Sequence, residues 1–149
     1  MSSINNSKAE ELTKLADQSV TENASTFLGF KLLSVDQDSN SLRVEFNPGQ
    51  AATNPAGSIQ GGMITAMLDD AMCSAVWLLT DGKMIPLSVD IHMQFWRPAA
   101  VGRYTAEASV KHMTKSTAFL DGTLFNEANE AVAHGVQTVR LVPKSSRES

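Results

Sequence analysis

The amino-acid sequence predicts an α+β fold, an antiparallel sheet of about six strands wrapped around one long central helix. Two observations carry the prediction. The stretch from Asn54 to Leu79 reads NPAGSIQGGMITAMLDDAMCSAVWLL, a turn-rich loop that passes through Gly61 and Gly62 into an apolar run of helix formers. A helix apolar on nearly every side belongs inside a protein. Around it lie segments of strand character, two before and four after, joined mostly by short polar turns suited to antiparallel neighbours.

Taken in order, residues 7–19 (SKAEELTKLADQS) suggest a short peripheral helix, with Ser7 and Glu10 spaced as a capping box. Phe30 to Val35 and Ser41 to Phe46 are two short strands around the polar turn DQDSN. Asn47-Pro48-Gly49 breaks the second. The helix then runs from about Gly62 to Leu79, roughly 27 Å, which matches the width of about six strands. From Ile85 to Trp96 the chain alternates, with Ile85, Leu87, Val89, Ile91, Met93 and Phe95 on one face and Ser88, Asp90, His92 and Gln94 on the other. Gly102 to His112, Thr117 to Phe125 and Val132 to Val142 complete the set, and Pro143 onward reads as a solvated tail. The divisions are a lead-in with its peripheral helix over 1–27, the domain over 28–142 and a flexible tail over 143–149. An open sheet leaves edge strands, and Ile85 to Trp96 is the candidate for pairing with a second subunit.

With 149 residues the chain is long enough for one domain with a full core. A net charge of -4 and a pI of about 5.3 give no global basic field, which argues against a nucleic-acid partner. A single cysteine, Cys73, excludes a disulfide within one chain and any multi-cysteine metal site, and points to a cytoplasmic location. The polar start supports no signal peptide. Two aspartates in the middle of the apolar helix, with no basic flanks, argue for a buried helix and not a membrane span. The three histidines, His92, His112 and His134, fall in separate strands without ligand spacing, so no metal is expected. Cys73 reads as a small core residue, because no histidine partner is indicated.

Asn54, the tripeptide Gln60-Gly61-Gly62, the acid Asp69 eight residues after Gly61 and this strand order together resemble the hotdog-fold acyl-CoA thioesterases. The nearest group is the phenylacetate-degradation type of the 4-hydroxybenzoyl-CoA thioesterase superfamily, and the likeness covers roughly residues 28–142. Gln60 stands where many members carry histidine; both side chains can hydrogen-bond, but only histidine exchanges a proton near neutral pH. The resemblance implies cofactor-independent hydrolysis of an acyl-CoA substrate. It also implies a site formed between paired subunits, hence an obligatory homodimer, commonly paired further into a homotetramer.

The chemistry such a site needs can be set beside the residues. Backbone amides at a helix start can stabilise an oxyanion, and Gly61 and Gly62 can supply them without a side chain in the way; the two glycines can equally allow a tight turn or close packing. Asp69 lies about 12 Å along the helix from Gly61, too far to serve the same carbonyl within one chain. The resemblance implies that it faces the amides of the partner's helix, as general base on water or as nucleophile. Asp70 sits 100° around the helix from Asp69 and reads as a structural or subunit-contact residue. Asn54 is a candidate to position the carbonyl, a water or the acid, or else it makes an Asx turn before Pro55. Ser88 corresponds to a strand hydroxyl that holds water in some family members, although the alternation puts it on the polar face. Coenzyme A carries phosphates, so Arg97, Lys111 and Lys115 are candidate bases near the cleft mouth if they cluster; singly each reads as an ordinary solvated strand end.

Overall fold

The computed structural model describes residues 10, 11 and 22–146. Of the helix expected over 7–19, only Glu10 and Glu11 fall among these, and both are helical. The first complete element is a short helix that sequence patterning did not indicate, α1 (Ala24–Phe27), capped by Asn23, whose Oδ1 accepts the Thr26 N–H at 2.9 Å. It is followed by β1 (Lys31–Asp36), β2 (Ser41–Phe46), the central helix α2 (Gly61–Leu79), β3 (Met84–Phe95), β4 (Tyr104–Met113), β5 (Thr117–Phe125) and β6 (Ala131–Pro143). Every strand predicted from the sequence is present, with ends displaced by a residue or two. The chain continues beyond Pro143 into a 3-10 turn, Lys144–Ser146, where the expected tail is held by the Lys144 N–H to the Lys83 carbonyl. The Lys144 ammonium lies 5.5 Å from the centre of the Trp77 ring.

All six strands form one antiparallel sheet in the order β1-β2-β4-β5-β6-β3. The sheet wraps α2, which packs against β2 through β6. This is the α+β hotdog architecture. By length and hydropathy alone α2 could cross a bilayer. Instead Ile64, Met67, Leu68, Ala71, Met72 and Ala75 are buried against the sheet, joined by Val44 and Phe46 of β2, Leu120 and Leu124 of β5, and Val139 of β6. Removal of this apolar surface from water is the main driving force for the wrap.

The helix can sit this close because the sheet beneath it is small. Gly122 and Gly135 are cross-strand partners at the centre of β5 and β6, and a Cβ on Gly122 would lie 3.3 Å from both Leu68 Cδ2 and Met72 Cγ. On β4 the same face carries Tyr104, Ala106, Ala108 and Val110, all buried as the alternation predicted.

Strand β3 departs from the alternation expected of it. Its register against β6 shifts between Ser88 and Asp90, a β-bulge that reverses which residues face the helix. Before the bulge Pro86 and Ser88 lie opposite the buried Leu141 and Val139. After it, Ile91 and Met93 take the inner face, packed on the core. Ile85 and Leu87 are therefore not on the face of Ile91 and Met93, and Val89 projects from the bulge with 64 % of its surface exposed. As expected for a pairing strand, β3 is an edge of the sheet.

Gly122→Val should lower stability by about 1–3 kcal/mol, because two extra methyl groups must displace Leu68 and Met72 from a close-packed layer. Urea unfolding measures it, and a loss within 0.5 kcal/mol would show that the helix does not depend on this gap.

Candidate active site

Two groups of polar atoms lie along α2. The first surrounds its start. Residues 53–59 are closed by the Thr53–Ile59 bridge, with hydrogen bonds from the Asn54 N–H to the Ser58 carbonyl (2.7 Å) and from the Gln60 N–H to the Ala52 carbonyl (2.9 Å). Ile59 N–H donates to the Ala99 carbonyl at 2.7 Å, which ties the loop to the segment after β3. Inside the loop, Asn54 Oδ1 accepts the N–H groups of Ala56 (3.0 Å) and Ser58 (3.1 Å). Asn54 is thus an Asx turn, and its Nδ2 has no hydrogen bond among the described residues.

This loop delivers the chain to α2 with Gln60 as N-cap in extended conformation. The Gln60 carbonyl accepts the first N–H groups of the helix, those of Met63 and Ile64, whereas those of Gly61 and Gly62 have no acceptor among the described residues. Gly61 borders a cleft of about 360 Å³ shared with Asn54, Phe95, Trp96 and Arg97. The Phe95 ring covers the glycine, 3.4 Å from where a Cβ would stand. Trp96 stacks on His134 at 5.9 Å, and His134 Nδ1 is held 2.8 Å from Thr123 Oγ1. Gln60 is exposed and caps nothing with its side chain.

The second group surrounds Asp69, about 12 Å along the axis from Gly61. Asp69 Oδ1 accepts from Ser88 Oγ at 2.9 Å, from Gln137 Nε2, and weakly from Cys73 Sγ at 3.5 Å. Gln137 Nε2 also donates to Ser88 Oγ at 3.0 Å. Ser88 reaches the acid because of the bulge, which turns it from the face that simple alternation assigns it to the helix side. Asp90 fixes the bulge by accepting the Thr138 N–H of β6 at 3.0 Å. Gln137 was not singled out in the sequence, yet a signal was there. On β6 the inward positions run Ala133, Gly135, Gln137, Val139 and Leu141, and a glutamine in such a series is a buried polar group that must have partners.

The two adjacent acids diverge. Asp70 lies on the side of α2 that faces α1, and burial pushes its pKa up to about 6; the nearby Ser25 hydroxyl offsets part of this and the Asp69 charge adds to it. Its Oδ2 is buried without a hydrogen-bond partner. Cys73 is pushed up to about 12 by burial and by the Asp69 charge, so it stays a protonated thiol at neutral pH.

The three cations proposed for phosphate do not cluster within one chain. Arg97 lines the amide cleft and pairs with Glu130 at 3.4 Å. Lys111 pairs with Asp121 at 3.6 Å over the sheet face that points away from α2, and Lys115 is exposed in the turn between β4 and β5. Arg97 stands near the start of β4 and Lys115 beyond its end, so a strand of roughly 30 Å separates them.

A helix start with free amides, entered through a glycine pair and wrapped by this sheet, defines a hotdog domain with a polar cluster at each of two levels of its helix. Residues 56–133, just over half of the chain, match the model of the thioesterase superfamily. The chain belongs to that superfamily. No individually curated protein matches it significantly. Among solved structures, a phenylacetic acid degradation-related protein from Ralstonia eutropha JMP134 is 25% identical with a TM-score of 0.77, covering 86% of this chain and 97% of its own. The PaaI protein of the E. coli phenylacetic acid degradation operon is 21% identical, also at 0.77, covering 91% and 94%. A thioesterase from Haemophilus influenzae is 18% identical at 0.79, covering 91% and 90%.

The raised Asp70 pKa gives a pH dependence of defined sign. The folded chain binds this proton more tightly than the unfolded chain, whose value is 3.8. Stability from this group is therefore full below about pH 4 and lost as pH rises through about 6. Asp70→Asn should stabilise the protein by about 1–3 kcal/mol at pH 7.5 and by little at pH 4. Urea unfolding at the two pH values tests this, and an equal gain at both would refute the buried charge as its cause.

Proposed function

We propose that this protein hydrolyses acyl-CoA thioesters to the free acid and coenzyme A in the cytoplasm, with Asp69 as the reacting carboxylate. The observation that carries the reading is the position of Asp69. A single carboxylate, held by hydroxyl and amide donors, stands beside the open edge of the sheet on the same helix as two unpaired N-terminal amides. Such a carboxylate can take a proton from water as the water attacks the thioester carbonyl, or can attack it directly. The oxyanion that forms accepts the Gly61 amide hydrogen, aided by the positive end of the helix dipole. Collapse then breaks the carbon–sulfur bond and releases the thiolate of coenzyme A. On the water route the thiolate takes the proton that Asp69 removed. On the direct route water hydrolyses the mixed anhydride left on Asp69, giving the free acid, restoring the carboxylate and supplying the proton to the thiolate.

The separation of about 12 Å between Gly61 and Asp69 requires two chains. Antiparallel helices related by a two-fold axis near Thr65, midway between these residues, would set Gly61 of each chain against the acid of the other. The free edge of β3 is where such pairing would continue the sheet. The proposed unit is therefore a homodimer with two sites, paired further as a homotetramer. In it Asn54, Gln60 and Gly62 border the carbonyl, Ser88 holds the attacking water or the acid, and Arg97 is the base nearest the cleft. Lys111 and Lys115 could reach the phosphates only from another subunit.

Thiol release from a panel of acyl-CoA esters should be detectable for the wild type and reduced at least roughly 100-fold in Asp69→Asn. Binding of acyl-CoA without thiol release would replace the enzyme with a non-catalytic acyl-CoA binding protein. Asn54→Asp separates two roles, because it keeps the acceptor used by Ala56 and Ser58 and removes the Nδ2 donor. It should retain the wild-type melting temperature and lose about tenfold or more in kcat/KM; unchanged kinetics would confine Asn54 to the turn.

A further inference from the structure

Resting on that reading of Asp69, we infer that Gln137 is a positioning residue, whose side-chain amide locks one oxygen of the Asp69 carboxylate and leaves the other as the reacting atom. Gln137 is 3 % exposed, and its amide spans three groups from two elements. Nε2 donates to Asp69 Oδ1 and to Ser88 Oγ, and Oε1 faces the Cys73 thiol at 4.0 Å. The orientation of the amide follows from chemistry: an ionised carboxylate only accepts, so the NH2 must face it and the carbonyl must face a donor. The Cys73 thiol lies on that side, its one hydrogen shared between Oε1 at 4.0 Å and the nearer Asp69 Oδ1 at 3.5 Å.

Ser88 completes the lock. Its hydroxyl accepts from Gln137 and gives its own hydrogen to Asp69 Oδ1. Glutamine and serine thus form a closed triangle with one carboxylate oxygen. Among the described residues every side-chain hydrogen bond to Asp69 ends on Oδ1. Oδ2 is left without a side-chain donor.

The arrangement suits a base that must present one oxygen in a fixed direction, since preorganised donors cost no rearrangement during reaction. The other charged or titratable groups near Asp69 do not supply this. Cys73 is the thiol already named, Asp70 turns toward α1, and Asp90 is engaged by Thr138. A Gln137 that served only to fill the core would leave the protonation of Asp69 untouched.

The test is Gln137→Met, which keeps length and volume but removes both donors, studied in the full-length protein beside Gln137→Glu. For Gln137→Met the expected result is a kcat about tenfold lower with KM within twofold. The acid limb of kcat/KM against pH should move up by about one unit. For Gln137→Glu, which sets a second carboxyl against Asp69, the limb should move up further. An NMR titration of the Asp69 carboxyl carbon in wild type and variant reads the same shift without turnover. Thus a wild type that releases no thiol, with the NMR midpoint still shifted in the variant, refutes the proposed hydrolysis and leaves the lock standing. An unshifted midpoint and acid limb in a folded Gln137→Met overturn the lock. If Gln137→Met does not fold, Gln137→Glu decides, and an acid limb at the wild-type position overturns the proposal.

Discussion

The burial of α2 is the constraint on which the rest depends. A helix apolar on nearly all sides has no stable place in water, and the sheet curls around it because that is the arrangement that covers most of its surface. Gly122 lets the helix settle close to the sheet, Gly135 leaves room for the Met93 sulfur, and the small alanines of β4 extend that shallow bed. Because the helix is held along its length, Gly61 and Asp69 are fixed relative to each other by the rise of an α-helix. The spacing of the two polar clusters is thus a property of secondary structure and not of loops.

The edge strand completes the polar cluster around Asp69. A regular β3 would aim Ser88 away from α2 and turn the apolar Leu87 and Val89 toward Asp69. The bulge between Ser88 and Asp90 adds one residue, so the strand can carry Ser88 to the acid and still place Ile91 and Met93 on the core three and five residues later. Bulges cost a ladder hydrogen bond. Here the Asp90 carboxylate supplies an acceptor for the Thr138 N–H at that position.

Most of the fold was legible because its signals are repeated. Six strands and one long apolar helix each present several residues of the same period, and an error at any one of them changes little. The candidate site was legible only where it is local in sequence, as at the loop from Asn54 to Gly62 and at Asp69. Ser88 was assigned the wrong face because a bulge is a single inserted residue, and alternation on both sides of it remains regular. Gln137 lies 68 residues from Asp69, and only the pairing of β6 with β3 and β5 brings it under the helix. The short helix α1 has four residues, too few for a period to show. The three basic residues failed as a cluster because proximity to a turn says nothing about which end of the sheet the turn occupies.

The adjacent acids show how one helix gives two carboxylates opposite surroundings. A rotation of 100° per residue sends Asp69 toward β3 and β6 and Asp70 toward α1. On one side are a hydroxyl, an amide and the open edge of the sheet. On the other, burial leaves one oxygen of Asp70 without any partner and favours its neutral form. Two charges so close would oppose each other if both were ionised in the interior. That repulsion adds to the effect of burial in raising the Asp70 pKa to about 6. The sequence Asp69-Asp70 is accommodated in an apolar helix because the helix turns the two side chains into separate surroundings, one with three side-chain donors and one where burial leaves an oxygen without a hydrogen-bond partner.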